Sequence, residues 1–170
     1  PFQEDMIKII IFIQNLQIME KLKIGDKAPH FSGIDQDGEK IALGDFDGKK
    51  LILYFYPKDN TSGCTAEACS LRDGYKELLE MGFNVVGVSP DNEASHRKFM
   101  EKYSLPFPLI ADTEKEIAAA YGVWGLKKFM GREYMGIIRT TFVINNGVIE
   151  KIFDKVKTKD HFVQIVDSYK

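Results

Sequence analysis

Cysteine is scarce in this chain. Cys64 and Cys69 are the only two thiols among 170 residues, too few for a disulfide-stapled secreted scaffold in a domain long enough not to need one. A structural zinc site wants about four ligands in paired spacings. The histidines, His30, His96 and His161, stand far from the cysteines and from one another in sequence. Charge of one sign is also lacking: 23 Lys and Arg against 25 Asp and Glu leave −2 at pH 7. That balance offers no electrostatic footprint for nucleic acid or an anionic membrane surface. No apolar run approaches the roughly 20 residues of a membrane span. The strongest run near the start, Ile9 to Ile13, follows Glu4 and Asp5, whereas a secretory signal opens on basic residues. No linker, internal repeat or low-complexity tract divides the sequence. What remains is one globular domain, 44% hydrophobic, whose two thiols suit redox or nucleophilic work in a reducing compartment, read here as the cytoplasm. The domain is expected to occupy 19–170, starting near Met19, with 1–18 as an N-terminal extension.

From Lys27 onward, two short alternating runs flank Asp37-Gly38, a hairpin signal. KKLILYFYP is a continuous β-rich apolar run ended by Pro57, as expected of a strand buried on both faces. Thr65 to Met81 shows helical spacing and stops at Gly82; FNVVGVSP reads as a second buried strand. Helices are expected over Ser89–Tyr103, Thr113–Tyr121 and about Lys159–Tyr169, with a short strand in PFPLIAD between the first two. Alternating strands about Asn145-Asn146-Gly147 predict another hairpin. Strands alternating with helices predict an α/β fold with a mixed central sheet flanked by helices and an N-terminal β-hairpin. A final hairpin and helix are similar to the ending of thioredoxin-like folds.

Ligands of open α/β sheets gather outside the carboxyl ends of the strands. The strand ending at Tyr56 delivers PKDNTSGC to that edge, and Cys64 opens the next helix. The amides and dipole at a helix start favour a thiolate over a thiol. Gly63 allows close approach of a reacting atom, and Thr61 supplies a hydroxyl. Acyl transfer would need a partnered histidine, and none is well placed; two thiols point to redox chemistry. The spacing is C-x4-C, so on a helix the two positions differ by a net turn of about 140° and a rise of about 7.5 Å. A disulfide needs Cα atoms within about 7 Å and converging Cβ vectors. Bonding of Cys64 to Cys69 therefore requires the first turns of that helix to unwind.

Pro57, Thr61 and Cys64 stand as P-x3-T-x2-C, which resembles the active-site signature of the peroxiredoxins. The longer stretch FYPKDNTSGCTAEACSLRD is similar to the bacterioferritin-comigratory-protein, or PrxQ, subfamily. The likeness continues through Ser89-Pro90-Asp91, PFPLIAD and RTTFVI, covering about Leu22 to Lys170. The resemblance implies thiol-dependent peroxide reduction on a thioredoxin-like fold. Cys64 would attack the peroxide and become a sulfenic acid. Cys69 would resolve it as an intramolecular disulfide, and a dithiol, typically thioredoxin, would restore both thiols. Thr61 would hydrogen-bond peroxide and thiolate, Pro57 would shape and shield the loop, and Arg139 would be the active-site arginine, its fixed charge favouring the thiolate. No metal, flavin or haem is implied. With both thiols in one segment, a monomer suffices.

Other residues read more plainly. Glu67 and Arg72 are expected on the solvated surface or as a link between helix and loop. Trp124, Phe55, Tyr56, Phe107 and Phe142 are expected in the core, and Asp112, Glu114 and Glu116 at a capped, solvated helix start. KKFMGREYMG is an insert before Arg139 without an assigned element. Two other functions share the chemistry. A peroxide-sensing switch or holdase would consume about one equivalent of peroxide and stop. A thioredoxin-like disulfide oxidoreductase would reduce insulin disulfides, against which the C-x4-C spacing and the Thr61 and Arg139 pair argue.

Overall fold

The computed structural model describes residues 2–17 and 21–170; the expected boundary near Met19 lies outside the described residues. Helix α1 (Phe2–Gln17) leads the chain, with Phe2, Met6, Ile7 and Ile9 to Ile11 exposed. The hairpin β1 (Ser32–Ile34) and β2 (Lys40–Ala42) follows, turning at Gly38 with φ +77°. Then come β3 (Lys50–Phe55), α2 (Ser62–Asp73), α3 (Tyr75–Glu80), β4 (Phe83–Ser89), α4 (Glu93–Tyr103), β5 (Leu109–Ala111) and α5 (Glu116–Ala120). A second hairpin pairs β6 (Trp124–Phe129) with β7 (Arg132–Ile137). Strands β8 (Thr140–Asn145) and β9 (Val148–Phe153) and helix α6 (His161–Asp167) complete the fold. Among the described residues, no helix is long and apolar enough to cross a membrane.

The central sheet runs β5-β4-β3-β8-β9. Its β3, β4 and β5 are parallel neighbours, while β8 is antiparallel to both β3 and β9. This is the expected mixed sheet. Side chains alternate across a strand, and β3 sorts accordingly. Leu51, Leu53 and Phe55 face a cluster with Ile110, Ile117 and Phe142; Ile52, Tyr54 and Tyr56 face one with Cys64, Leu71, Phe99 and Ile165. The β3 side chains from Leu51 to Phe55 are all fully buried, which explains why the sequence shows a continuous apolar run rather than alternation. The Asn145 turn is a two-residue loop, Asn146-Gly147, both with positive φ, as a tight hairpin of this hand demands.

Several expectations need correction. The single helix expected over Thr65–Met81 is two, starting earlier and broken at Gly74. A Cβ on Gly74 would overlap the ring of Phe162, so close packing of the α6 start on α2 demands glycine there. Helix α4 begins at Glu93, not Ser89, because Asn92 caps it by accepting from Ser95 N. Helix α5 begins at Glu116, and the buried Asp112 carboxylate accepts from the amides of Ile117 and Ala118. The segment Lys127–Gly136, unassigned from sequence, lies in the β6–β7 hairpin, whose turn residues Met130 and Gly131 both have positive φ. Trp124 is only partly buried, whereas Phe55, Tyr56, Phe107 and Phe142 are core residues.

Candidate active site

Strand β3 ends at the sheet edge where Tyr56 N donates to Val88 O, and Pro57 turns the chain into the loop ahead of α2. Cys64 is the third residue of α2 and is buried against the sheet; both cysteines are free thiols. Because α2 is wound continuously through Cys64 and Cys69, the two thiols occupy positions that a disulfide cannot join without unwinding. Cys69 is partly exposed.

Arg139 immediately precedes β8. In the antiparallel register Phe55 opposes Thr140, so the start of β8 lies beside the end of β3, where Cys64 begins its helix. Arg139 Nη2 donates to Cys64 Sγ at 3.3 Å, across 75 positions of sequence. Gly63 is explained by the same contact: an added Cβ would stand 3.3 Å from Arg139 Nη2. Arg139 also turns Nη1 toward Glu67 Oε1, at 3.5 Å. That is an ion-pair distance without hydrogen-bond geometry, so among the described residues Nη1 and both Glu67 oxygens have no hydrogen-bond partner. Burial pushes the Glu67 carboxyl up to about 7, against the lowering influence of Arg139. Thr61 precedes the helix as its N-cap, but its hydroxyl donates to Lys58 O at 2.8 Å rather than to sulfur. Thr61 as a whole is exposed.

The loop itself is anchored from behind. The buried Asp59 accepts from Tyr56 OH at 2.6 Å and Ser95 Oγ at 2.8 Å, and meets His96 Nδ1 at 2.7 Å. His96 Nε2 lies 2.9 Å from Ile110 O and donates to it, since a carbonyl only accepts. Asp59 N donates to Asp91, which also accepts from Ser89 Oγ. Asp59, Asp91 and His96 offer ligand atoms within 4.8 Å of one another, but these hydrogen bonds already commit those atoms to tying the loop to α4, β4 and β5. From the other side, Lys127 of β6 donates to Ile137 O. Burial, then the charge of Arg139, lower its ammonium pKa, while Cys64 works the other way.

The sequence model of the AhpC/TSA family matches residues 24–152. The chain belongs to that family, as a BCP/PrxQ peroxiredoxin. It shares 47% identity with the peroxiredoxin Bcp of Bacillus subtilis over 150 residues, 88% of this chain and 96% of that protein. Identity with the Escherichia coli K12 peroxiredoxin Bcp is 47% over 144 residues, 84% of this chain and 92% of the other. Among solved structures, peroxidoxin BcpB from Mycobacterium tuberculosis superposes with a TM-score of 0.76 at 31% identity, covering 86% of this chain and 96% of that one. Xanthomonas campestris peroxiredoxin Q gives 0.76 at 31%, covering 81% and 88%.

In this peroxiredoxin the fold gathers Pro57, Thr61, Cys64 and Arg139 at one edge of the sheet, with Cys69 further along α2. Glu67, expected on the solvated surface or as a link between helix and loop, is fully buried; the solvated reading fails, and the link runs from α2 to Arg139 ahead of β8. The signal was available: Cys64, Glu67, Ala68 and Leu71 form one helical stripe at i, i+3, i+4 and i+7, and all four are buried. Arg72, half-buried, does link elements, donating to Tyr103 O at the end of α4. His96 and His161 are core residues and His30 is exposed; the Asp59–His96 pair carried no local sequence signal.

Proposed function

We propose that Cys64 is the peroxide-attacking thiol and Cys69 the resolving one, in a chain that as a peroxiredoxin is a thiol-dependent peroxidase. The observation that carries this reading is the guanidinium of Arg139 donating to a buried sulfur at a helix start. A fixed cation and a helix N-terminus both favour the thiolate. The Cys64 thiolate attacks one oxygen of a hydroperoxide. The O–O bond breaks, sulfur is oxidised to the sulfenic acid and the other oxygen leaves as an alkoxide, or hydroxide, that takes a proton. Arg139 is positioned to stabilise charge on the leaving oxygen. Thr61 presents its hydroxyl to the peroxide by turning from Lys58, and Pro57 shields the sulfur. After α2 opens, the Cys69 thiol displaces the sulfenic hydroxyl as water, forming the disulfide. A dithiol then reduces that disulfide by exchange.

Three finer assignments belong to the same reading. Thioredoxin serves as the dithiol; the chain works as a monomer in the cytoplasm, since both thiols sit in one helix; and 1–18 is an extension outside the catalytic domain. Peroxide consumption by wild type, Cys64→Ser and Cys69→Ser, with and without thioredoxin and its reductase, tests the core of it. Cys64→Ser should consume no peroxide, and Cys69→Ser should consume one equivalent and then stall. Full thioredoxin-dependent turnover by Cys69→Ser would refute the resolving role. A chain starting at residue 19 should keep wild-type turnover and elute at the size of one copy; loss of activity would count against the boundary.

A further inference from the structure

Glu67 lies on the stretch of α2 between the two cysteines, fully buried, with neither carboxyl oxygen hydrogen-bonded among the described residues. The charged and titratable groups that face it are few. Arg139, ahead of β8, is an ion-pair distance away and also donates to Cys64 of the same helix; Tyr54 of β3, whose buried hydroxyl has no hydrogen-bond partner among the described residues, feels the Glu67 charge. Beyond Arg139, His161 of α6 is held neutral: burial, helped by the Arg139 charge and opposed by its hydrogen bond to Gln164, lowers it to about 4. Burial raises Tyr54 well above the ordinary phenol range, with the Glu67 charge adding to the effect. A carboxylate in such a place gives up its water and receives one imperfect partner in return, an expensive arrangement for the folded helix.

The cost falls on the segment that has to open. Cys64 and Cys69 cannot approach while α2 is wound, and Glu67 stands between them, so unwinding that brings the sulfurs together also carries Glu67 out to water. We propose that Glu67 is a positioning residue for the resolution step: its buried carboxylate loosens the Cys64–Cys69 turns of α2 and so favours the opened helix in which the disulfide forms. This rests on the assignment of Cys69 as the resolving thiol.

Geometry and titration agree in sign. In the wound helix the carboxyl holds its proton up to about 7, against an ordinary value of 4.5. The wound form therefore binds the proton more tightly, and opening releases it. The wound form is most stable below the ordinary carboxylate range, loses stability as pH rises toward about 7, and levels off above it. Between pH 5.5 and 8 the opening constant should grow about 30-fold. The measurement is made without the Cys64 thiol, so that opening of the helix is read apart from sulfur chemistry.

Hydrogen exchange of the amides of residues 64–69, expressed as protection factors, is followed from pH 5.5 to 8 in Cys64→Ser, Cys64→Ser/Glu67→Gln and Cys64→Ser/Glu67→Met proteins. Protection should fall about 30-fold in the first and stay flat in the other two, with the methionine protein the best protected. A flat profile in the first, or a parallel fall in the glutamine protein, overturns the proposal. So does a uniform offset at every pH, which a merely structural role would give. In the two-thiol enzyme, Glu67→Gln should slow disulfide formation after peroxide addition and increase trapping as the sulfinic acid; unchanged or faster resolution is contrary. The exchange arm is independent of disulfide formation. Failure of the Cys69 assignment therefore appears in the thiol chemistry, and failure of the Glu67 role in the pH profile.

Discussion

Removing the Arg139 guanidinium tests the site at its centre. In Arg139→Met the stem is kept and the charge is lost. Two interactions disappear: the Nη2 donation to Cys64 Sγ at 3.3 Å and the approach of Nη1 to Glu67 at 3.5 Å. A hydrogen bond to a charged group contributes about 1.5–3 kcal/mol, and loss of one donor aimed at developing charge costs about 2.7–4 kcal/mol. The ranges meet near 3 kcal/mol, so peroxide reduction by Arg139→Met should lose about 10²-fold in kcat/KM. The Arg139 side chain is 22% exposed, so solvent screening leaves most of that in place. Arg139→Lys keeps a charge but not the fork that reaches sulfur and carboxylate together, and should lose about tenfold. Stopped-flow reduction of hydrogen peroxide in the Cys69→Ser background isolates the first step, and iodoacetamide alkylation of Cys64 reports thiolate reactivity without peroxide. The alkylation rate near pH 7 should fall in Arg139→Met. If kcat/KM and alkylation both stay within about threefold of the parent, the guanidinium does not do the electrostatic work assigned to it.

Two further substitutions probe how the site is held. His96→Ala takes the buried imidazole away from Asp59 Oδ2 and Ile110 O, which costs about 1–3 kcal/mol for each buried group left unpaired, read by urea or thermal unfolding; the freed Asp59 loop should also lower kcat/KM for peroxide. Retention of both stability and rate would show that the network does not anchor the loop. Gly74→Ala places a methyl into the Phe162 ring. The Gly74 backbone φ of −94° is ordinary, so the effect is steric and should destabilise by about 1–3 kcal/mol. A gain in stability, as helix propensity alone predicts, would mean that α6 yields without cost.

Much of this fold is local and therefore legible. The buried strand β3, the turn at Asn146-Gly147 and the helix opening at Cys64 each follow from neighbouring residues. Helix ends were harder. Asn92 and Asp112 cap through side-chain contacts that compete with several equally good polar residues nearby. The break between α2 and α3 depends on Phe162, far along the chain. The β6–β7 hairpin escaped notice because Met130-Gly131 is a weaker turn signal than Asn-Gly, and its strands expose Leu126, Phe129, Tyr134 and Met135 rather than alternating cleanly.

The order of residues along the chain was enough to place a thiol at the carboxyl edge of a central strand, to put a second thiol out of bonding reach on the same helix, and to reveal the kinship. Those are matters of spacing, and spacing survives without coordinates. The charge environment of the sulfur was settled elsewhere. Antiparallel pairing of β8 with β3 delivered Arg139, and packing of α2 on the sheet buried Glu67 beside it. Both depend on how distant segments register and on what they jointly exclude from water, and no short window of residues contains either.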